Sequence, residues 1–138
     1  LERRLGFDAE LNTNWPNLTA LPSLETYGDE ERAEMIISNM VNNNPDIIGI
    51  YVMSSEARVP LSIIAGLKTK TASVKIAHER TPFTADALEK GLLDGVIAQN
   101  AGHLVRSAVR KLKAISDKSM THSQQERIRV EILMRTNL

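Results

Sequence analysis

Asp46-Ile-Ile-Gly-Ile-Tyr-Val-Met-Ser-Ser55 is the stretch whose reading decides the fold. Ile47, Ile48, Ile50, Tyr51, Val52 and Met53 form an almost unbroken apolar run. Such a run, rich in β-branched and aromatic residues, reads as a strand covered on both faces. A short buried helix is the alternative, but Pro45 before the run and Gly49 inside it favour the strand. The run ends in Ser54 and Ser55, and a helical pattern follows. Ligands of open α/β sheets bind just beyond the carboxyl ends of strands. The strand's exit is therefore the first candidate site, although the same two serines could cap the next helix.

Towards the N-terminus, Asn42-Asn43-Asn44-Pro45 stops a helix with an apolar stripe at Ala33, Ile36, Ile37, Met40 and Val41. Asp29 is its predicted cap, with Glu30 and Glu31 opposing the positive helix end. Ser23–Tyr27 is a short strand candidate that Gly28 turns. Residues 12–22 read as a loop broken by Pro16 and Pro22, in which Trp15 packs locally. Residues 1–11 suit a helix with Leu1, Leu5 and Leu11 apolar.

Towards the C-terminus, Pro60 opens a helix with Leu61, Ile63, Ile64 and Leu67 apolar. Ala72–Ala77 is the next strand and ends at His78-Glu79-Arg80. Thr81-Pro82 is a cap followed by a proline in the first helical turn. Phe83, Ala87, Leu88 and Leu92 continue that helix. Asp94–Asn100 is a short strand. A longer helix follows, with Leu104, Val105, Ala108, Leu112 and Ile115 on one face. Ile128, Val130, Ile132 and Met134 alternate with charged residues, which is a strand with one face exposed. Helices and strands thus alternate, which implies an α/β fold, a parallel sheet with helices on both faces.

The 138 residues suit one domain. Lys+Arg and Asp+Glu are both 17, and a net charge of zero argues against nucleic acid as this segment's own partner. Without cysteine there is neither a disulfide framework nor a thiolate metal site. No apolar run approaches the roughly 20 residues that span a bilayer, so no membrane partner is expected. Leu1-Glu2-Arg3-Arg4 resembles neither a signal peptide nor a natural start, so the chain reads as a fragment.

No phosphate-binding, dinucleotide-binding or nucleophile-elbow motif is found, so no cofactor is implied. His78, His103 and His122 do not fall at metal-ligand spacing. His78-Glu79 is the most acid–base-like pair, but neighbours on a strand point to opposite faces. A single histidine there could act as a general base, and contact with a ligand or a loop is the plainer reading. Arg106, Arg110 and Lys113 could line one face of the late helix as an anion site, against which stands an ordinary solvated face.

Several stretches resemble one family. Arg3-Arg4-Leu5-Gly6-Phe7 looks like the Arg-x-x-Gly-Phe that opens the C-terminal lobe's first helix in lactose-repressor-type (LacI/GalR) effector domains. These share the fold of type I periplasmic sugar-binding proteins. Pro45–Tyr51 resembles the stretch leading into that lobe's central strand. Asp94–Asn100 resembles the crossover to the N-terminal lobe, and Ile132-Leu133-Met134-Arg135-Thr136 the closing strand. The likeness runs the whole length in order.

The resemblance implies that residues 1–98 are the C-terminal lobe of a two-lobed clamp, and 99–138 the crossover with the returning helix and strand of the other lobe. The clamp closes on a sugar or similar small polar molecule. Arg3 matches an arginine that points into the cleft, where its fork of donors can hold two ligand oxygens. Gln99 matches a ligand-touching crossover position, and its amide both donates and accepts. Ser54 and Ser55 stand where the family often has Asn-Asp, and His78 and Glu79 where it often has a sugar-gripping Asp. The helix-turn-helix, the hinge helix, nearly all of the N-terminal lobe and one central strand would precede Leu1. That strand would lie between Ser23–Tyr27 and Ile47–Met53. In its absence, and without the rest of the lobe, Leu104, Ala108, Leu112, Val130 and Ile132 should be poorly covered.

The first functional expectation is the effector-binding part of a cytoplasmic transcription repressor, not an enzyme. It would be a homodimer through the helices at 30–43 and 57–68, touching DNA only through the N-terminal module. The alternative is a periplasmic sugar-binding protein of a transport system. A third is an α/β enzyme using His78.

Overall fold

The computed structural model describes residues 2–67, 74–120 and 126–138. Leu1, Ala72 and His122, on which the readings above touch, lie outside them. Among the described residues, five helices and four strands form an α/β fold: α1 (Glu2–Asn14), α2 (Glu30–Asn43), β1 (Gly49–Val52), α3 (Arg58–Gly66), β2 (Val74–His78), α4 (Pro82–Glu89), β3 (Gly95–Gln99), α5 (Ala101–Ser116) and β4 (Val130–Leu133). The strands follow one another in the order β1-β2-β3-β4. The chain divides into two compact units, Leu1–Lys75 and Ile76–Leu138, and β2 straddles the boundary.

In the first unit, β1 alternates between two environments, as a strand must. Ile50 packs into a core of Ala33, Ile37 and Val41 from α2 and Ile64 from α3, joined by Leu24, Ile47 and Ile63. Tyr51 faces the other way and meets the Phe7 ring of α1 at 5.3 Å between centroids. Helix α1 therefore docks through Phe7, whereas Leu5 is exposed. The stripes on α2 and α3 are occupied by this core and are not spare for pairing with another chain. Asp29 caps α2 as expected, accepting the Arg32 N–H at 2.9 Å, and α2 stops at Asn43. Trp15 is more than half exposed, so it does not pack as read.

Ser23–Tyr27 is not a strand. Two of its acceptors go to arginines, and the Thr26 carbonyl accepts the Asp29 N–H at 3.1 Å. Arg4 donates to the Leu21 carbonyl at 2.9 Å and to Ser23 Oγ at 2.8 Å, and Arg32 donates to the Glu25 carbonyl at 2.9 Å. The segment ends in consecutive positive-φ residues, Tyr27 and Gly28. Strand β1 stands at the end of the strand order, and the start of β2 lies beside it: the Val74 N–H donates to the Ile48 carbonyl at 3.2 Å.

In the second unit, β2 and β3 are parallel, with Ile76, Ala77 and His78 opposite Gly95, Val96 and Ile97. Strand β4 is antiparallel to β3, so the sheet is mixed rather than wholly parallel. Alternation along the sequence does not fix this, because a long connection after a helix can return the chain to either end of a sheet. Ala77, Ala87, Leu88, Leu93, Val96 and Ala98 are buried and form the interior of this unit. Helix α5 turns Ser107 and Ala114 inward and leaves Leu104, Val105, Val109, Leu112 and Ile115 exposed. Val130 and Ile132 are also exposed, as expected for both elements.

Arg106, Arg110 and Lys113 do not make a shared anion face. Lys113 pairs with Asp117, one turn on. Arg110 turns to Glu126, donating through Nε at 2.7 Å and Nη2 at 3.1 Å, while Ser107 Oγ donates to the same carboxylate. The Glu126 side chain is only 3% exposed, so this fork ties the segment before β4 to α5. Chiefly the Arg110 hydrogen bonds, then that of Ser107, hold the Glu126 carboxyl down at about 2 from its ordinary 4.5. The folded state thus favours the ionised form. The resulting stability is fully present above the ordinary carboxylate range and is lost as pH falls from about 4.5 through about 2. Glu126→Gln should flatten the acid side of a plot of Tm against pH in that window. An acid side as steep as in the parent protein would contradict this account.

Candidate functional site

The candidate residues fall at strand exits in both units. In the first, Arg3 lies in the first turn of α1 and donates to the main-chain carbonyl of Met53, just past β1. The start of α1 is thus pinned to the exit of β1. Burial pushes the Tyr51 hydroxyl pKa up, and the Arg3 charge partly offsets the rise, so arginine and tyrosine sense each other on this face. Arg3, Ser54 and Ser55 are exposed.

The serines do not cap α3. Ser54 Oγ donates to the Glu56 carbonyl at 2.7 Å, closing a local turn. The Glu56 carboxylate takes the capping role, accepting the N–H groups of Arg58 at 2.8 Å and Val59 at 3.3 Å. A carboxylate suits that position because the first N–H groups of a helix lack partners and carry positive partial charge.

In the second unit, His78 and Glu79 end β2, and Gln99 ends the adjacent parallel strand β3. His78 is buried, Glu79 half-buried and Gln99 exposed. Glu79 has a φ of 64°, in the left-handed region, so His78 and Glu79 do not simply alternate along an extended strand. Its N–H still reaches the Ile97 carbonyl at 3.0 Å. Below it, Thr81 and Thr84 form a reciprocal capping box at the start of α4.

Asn100 caps α5, its Oδ1 accepting the His103 N–H at 2.8 Å, and its Nδ2 donates to Glu131 on β4 at 3.3 Å. The exit of β3, the start of α5 and β4 are therefore held together around Gln99. Among the described residues, no group of three or more His, Cys, Asp or Glu side chains is arranged to hold a metal ion. No helix among them is long and apolar enough to cross a membrane.

The motif reading missed Glu56 and Thr84. Both lie at the signature spacing of a helix start, where the capping residue's role can be read from a carboxylate or hydroxyl just before or three residues into the helix. Glu56→Ala should lower stability by about 1 kcal/mol, the usual cost of losing a helix cap, measured by urea unfolding. Ser54→Ala should cost less, because it leaves those helical N–H groups satisfied. The reverse order would return the cap to the serine.

A comparison with curated protein sequences finds no match. Among solved structures, the chain is similar to the sugar-binding protein of a sugar ABC transporter from Bacillus halodurans, with a TM-score of 0.81 at 14% identity, covering 99% of this chain and 50% of that one. It is similar to AraP, an arabinose binding protein from Geobacillus stearothermophilus, with a TM-score of 0.79 at 18% identity and coverage of 99% and 50%. A chain of the XylFII–LytSN complex gives 0.81 at 19% identity, with coverage of 99% and 48%. At these identities the likeness is one of fold, and the chain spans about half the length of the structures it matches. The sequence profile described as periplasmic binding protein domain matches residues 1–119, so the chain belongs to that family.

Proposed function

We propose that the chain supplies part of a clamp that binds a sugar or sugar derivative, as the binding protein of a transport system. The observation that carries this reading is the mixture of groups at the strand exits. His78, Glu79 and Gln99 end two adjacent parallel strands in the second unit, and Arg3, Ser54 and Ser55 gather at the exit of β1 in the first. In the second unit alone, an imidazole, a carboxylate and an amide offer donors and acceptors together. Sugar hydroxyls, which both donate and accept, need such a mixture. The names of two structures of similar fold, an arabinose binding protein and a sugar-binding protein of a transporter, support it. On this reading the protein works in the periplasm.

A second reading is the effector-binding part of a bacterial transcription repressor. The resemblance of Arg3–Phe7 and of Ile132–Thr136 to repressor motifs favours it. The protein would then be a cytoplasmic homodimer whose N-terminal module touches DNA and responds to the bound sugar through a two-state clamp. Because the stripes of α2 and α3 are occupied, pairing would use another surface.

Calorimetric titration of the intact gene product with arabinose and a panel of other aldopentoses and aldohexoses tests the sugar reading. Saturable binding of at least one sugar is expected, and a flat response to the whole panel counts against it. Sugar-sensitive retardation of duplex DNA from the gene's own upstream region would move the assignment to the repressor. Gln99→Ala should weaken sugar binding by about 1–3 kcal/mol, the cost of leaving a buried hydroxyl unpaired. Unchanged affinity would remove Gln99 from the site.

A further inference from the structure

Glu79 combines a side chain with a backbone shape that glycine adopts far more readily. Its φ is 64°, and both of its main-chain groups are held in place. The N–H donates to the Ile97 carbonyl at 3.0 Å. The carbonyl accepts from Thr84 Oγ1 at 2.8 Å. Thr84 is completely buried, and its hydroxyl oxygen also accepts the Thr81 N–H at 2.8 Å. A hydroxyl has one hydrogen to give. The Thr81 carbonyl lies at 3.2 Å, so the Glu79 carbonyl is the nearer acceptor.

We propose that Thr84 is a positioning residue for the ligand site: its buried hydroxyl holds Glu79 in the left-handed conformation and so sets where Glu79 presents its side chain beyond β2. This deepens the sugar-binding reading and rests on it. A helix cap alone does not require the arrangement, since Thr81 already accepts the Thr84 N–H at 3.1 Å. The additional bond reaches back past the cap to the strained residue. Glycine at position 79 would relieve the strain but would carry no carboxylate. Strain retained at a strand exit is accounted for if that carboxylate is needed there.

The test uses the intact gene product with Thr84→Val, Thr84→Ser and Glu79→Gln. Two quantities are read: affinity for the sugars of the panel, and the φ of Glu79 in crystal structures of the variants. In Thr84→Val, Glu79 should leave the left-handed region and affinity should fall on the order of tenfold. Thr84→Ser keeps the hydroxyl and should restore both. Combined with Glu79→Gln, Thr84→Val should add less than its own effect, because both changes act on one group. If the valine variant does not fold, Thr84→Ala carries the same expectations. Glu79 keeping its positive φ without the hydroxyl overturns the proposal, even if Tm drops, and so does a changed φ with unaltered affinity. If the parent protein binds none of the sugars, the sugar reading fails and the site role with it, while the φ of the variants still decides whether Thr84 holds Glu79.

Discussion

The two-sided covering of β1 is the constraint on which the first unit depends. One residue, Ile50, belongs to the core of α2 and α3, and its neighbour, Tyr51, to the face covered by α1. Strand geometry alone sends adjacent side chains to opposite faces. The apolar run therefore needs helices on both sides, and the order α1, α2, β1, α3 supplies them. The docking of α1 then brings Arg3 to the Met53 carbonyl at the strand's end. A packing requirement in the middle of the strand thus determines which cation stands at its exit. The ring contact between Phe7 and Tyr51 and the bond from Arg3 lie one helical turn apart on α1, so the packing contact and the tie to the exit of β1 share one helix face.

The exits of the strands are built mostly from groups that first satisfy the chain's own backbone. Ser54 closes a turn onto the Glu56 carbonyl, Glu56 receives the opening N–H groups of α3, and Asn100 does the same for α5. This follows from the cost of leaving helix-terminal N–H groups without partners. A polar residue beyond a strand therefore has two candidate employers, the next helix and a ligand. Spacing assigns the helix's share: a group that reaches back to the second or third helical N–H is a cap. Glu56 and Asn100 meet that test and Gln99 does not, which leaves Gln99 the stronger candidate for an external contact.

Much of this architecture was legible in the sequence, for identifiable reasons. Helix α2 could be bounded at both ends because Asp29 and the Asn42–Pro45 run act locally, and local signals survive folding. The α4 start at Thr81-Pro82 is of the same kind. Ser23–Tyr27 was misread because its fate depends partly on Arg4, a residue distant in sequence that binds the Leu21 carbonyl and Ser23 Oγ. No short window around residue 23 contains Arg4. The direction of β4 was also hidden, because it depends on where a connection re-enters the sheet. The candidate site was legible in position, at strand ends, but not in conformation. Nothing in the pair His78-Glu79 announces a left-handed glutamate.

The apolar stripe of α5 separates pattern from burial. The spacing of Leu104, Val105, Leu112 and Ile115 marks one helix face, and hydrophobic periodicity reads that face correctly. Yet the residues that α5 buries are Ser107 and Ala114, and a charged group it draws inward is Glu126, the partner of Arg110. Its attachment within the second unit thus runs through a buried carboxylate held by Ser107 and Arg110, not through its apolar face. A fork of charge-assisted hydrogen bonds is directional, whereas apolar contact is not. Such a fork fixes how the segment before β4 meets the helix even while Val130 and Ile132 gain little from burial. Strand β4 is thereby placed by two polar ties on its N-terminal side, Glu126 to α5 before the strand and Asn100 to Glu131 within it, in addition to its ladder with β3.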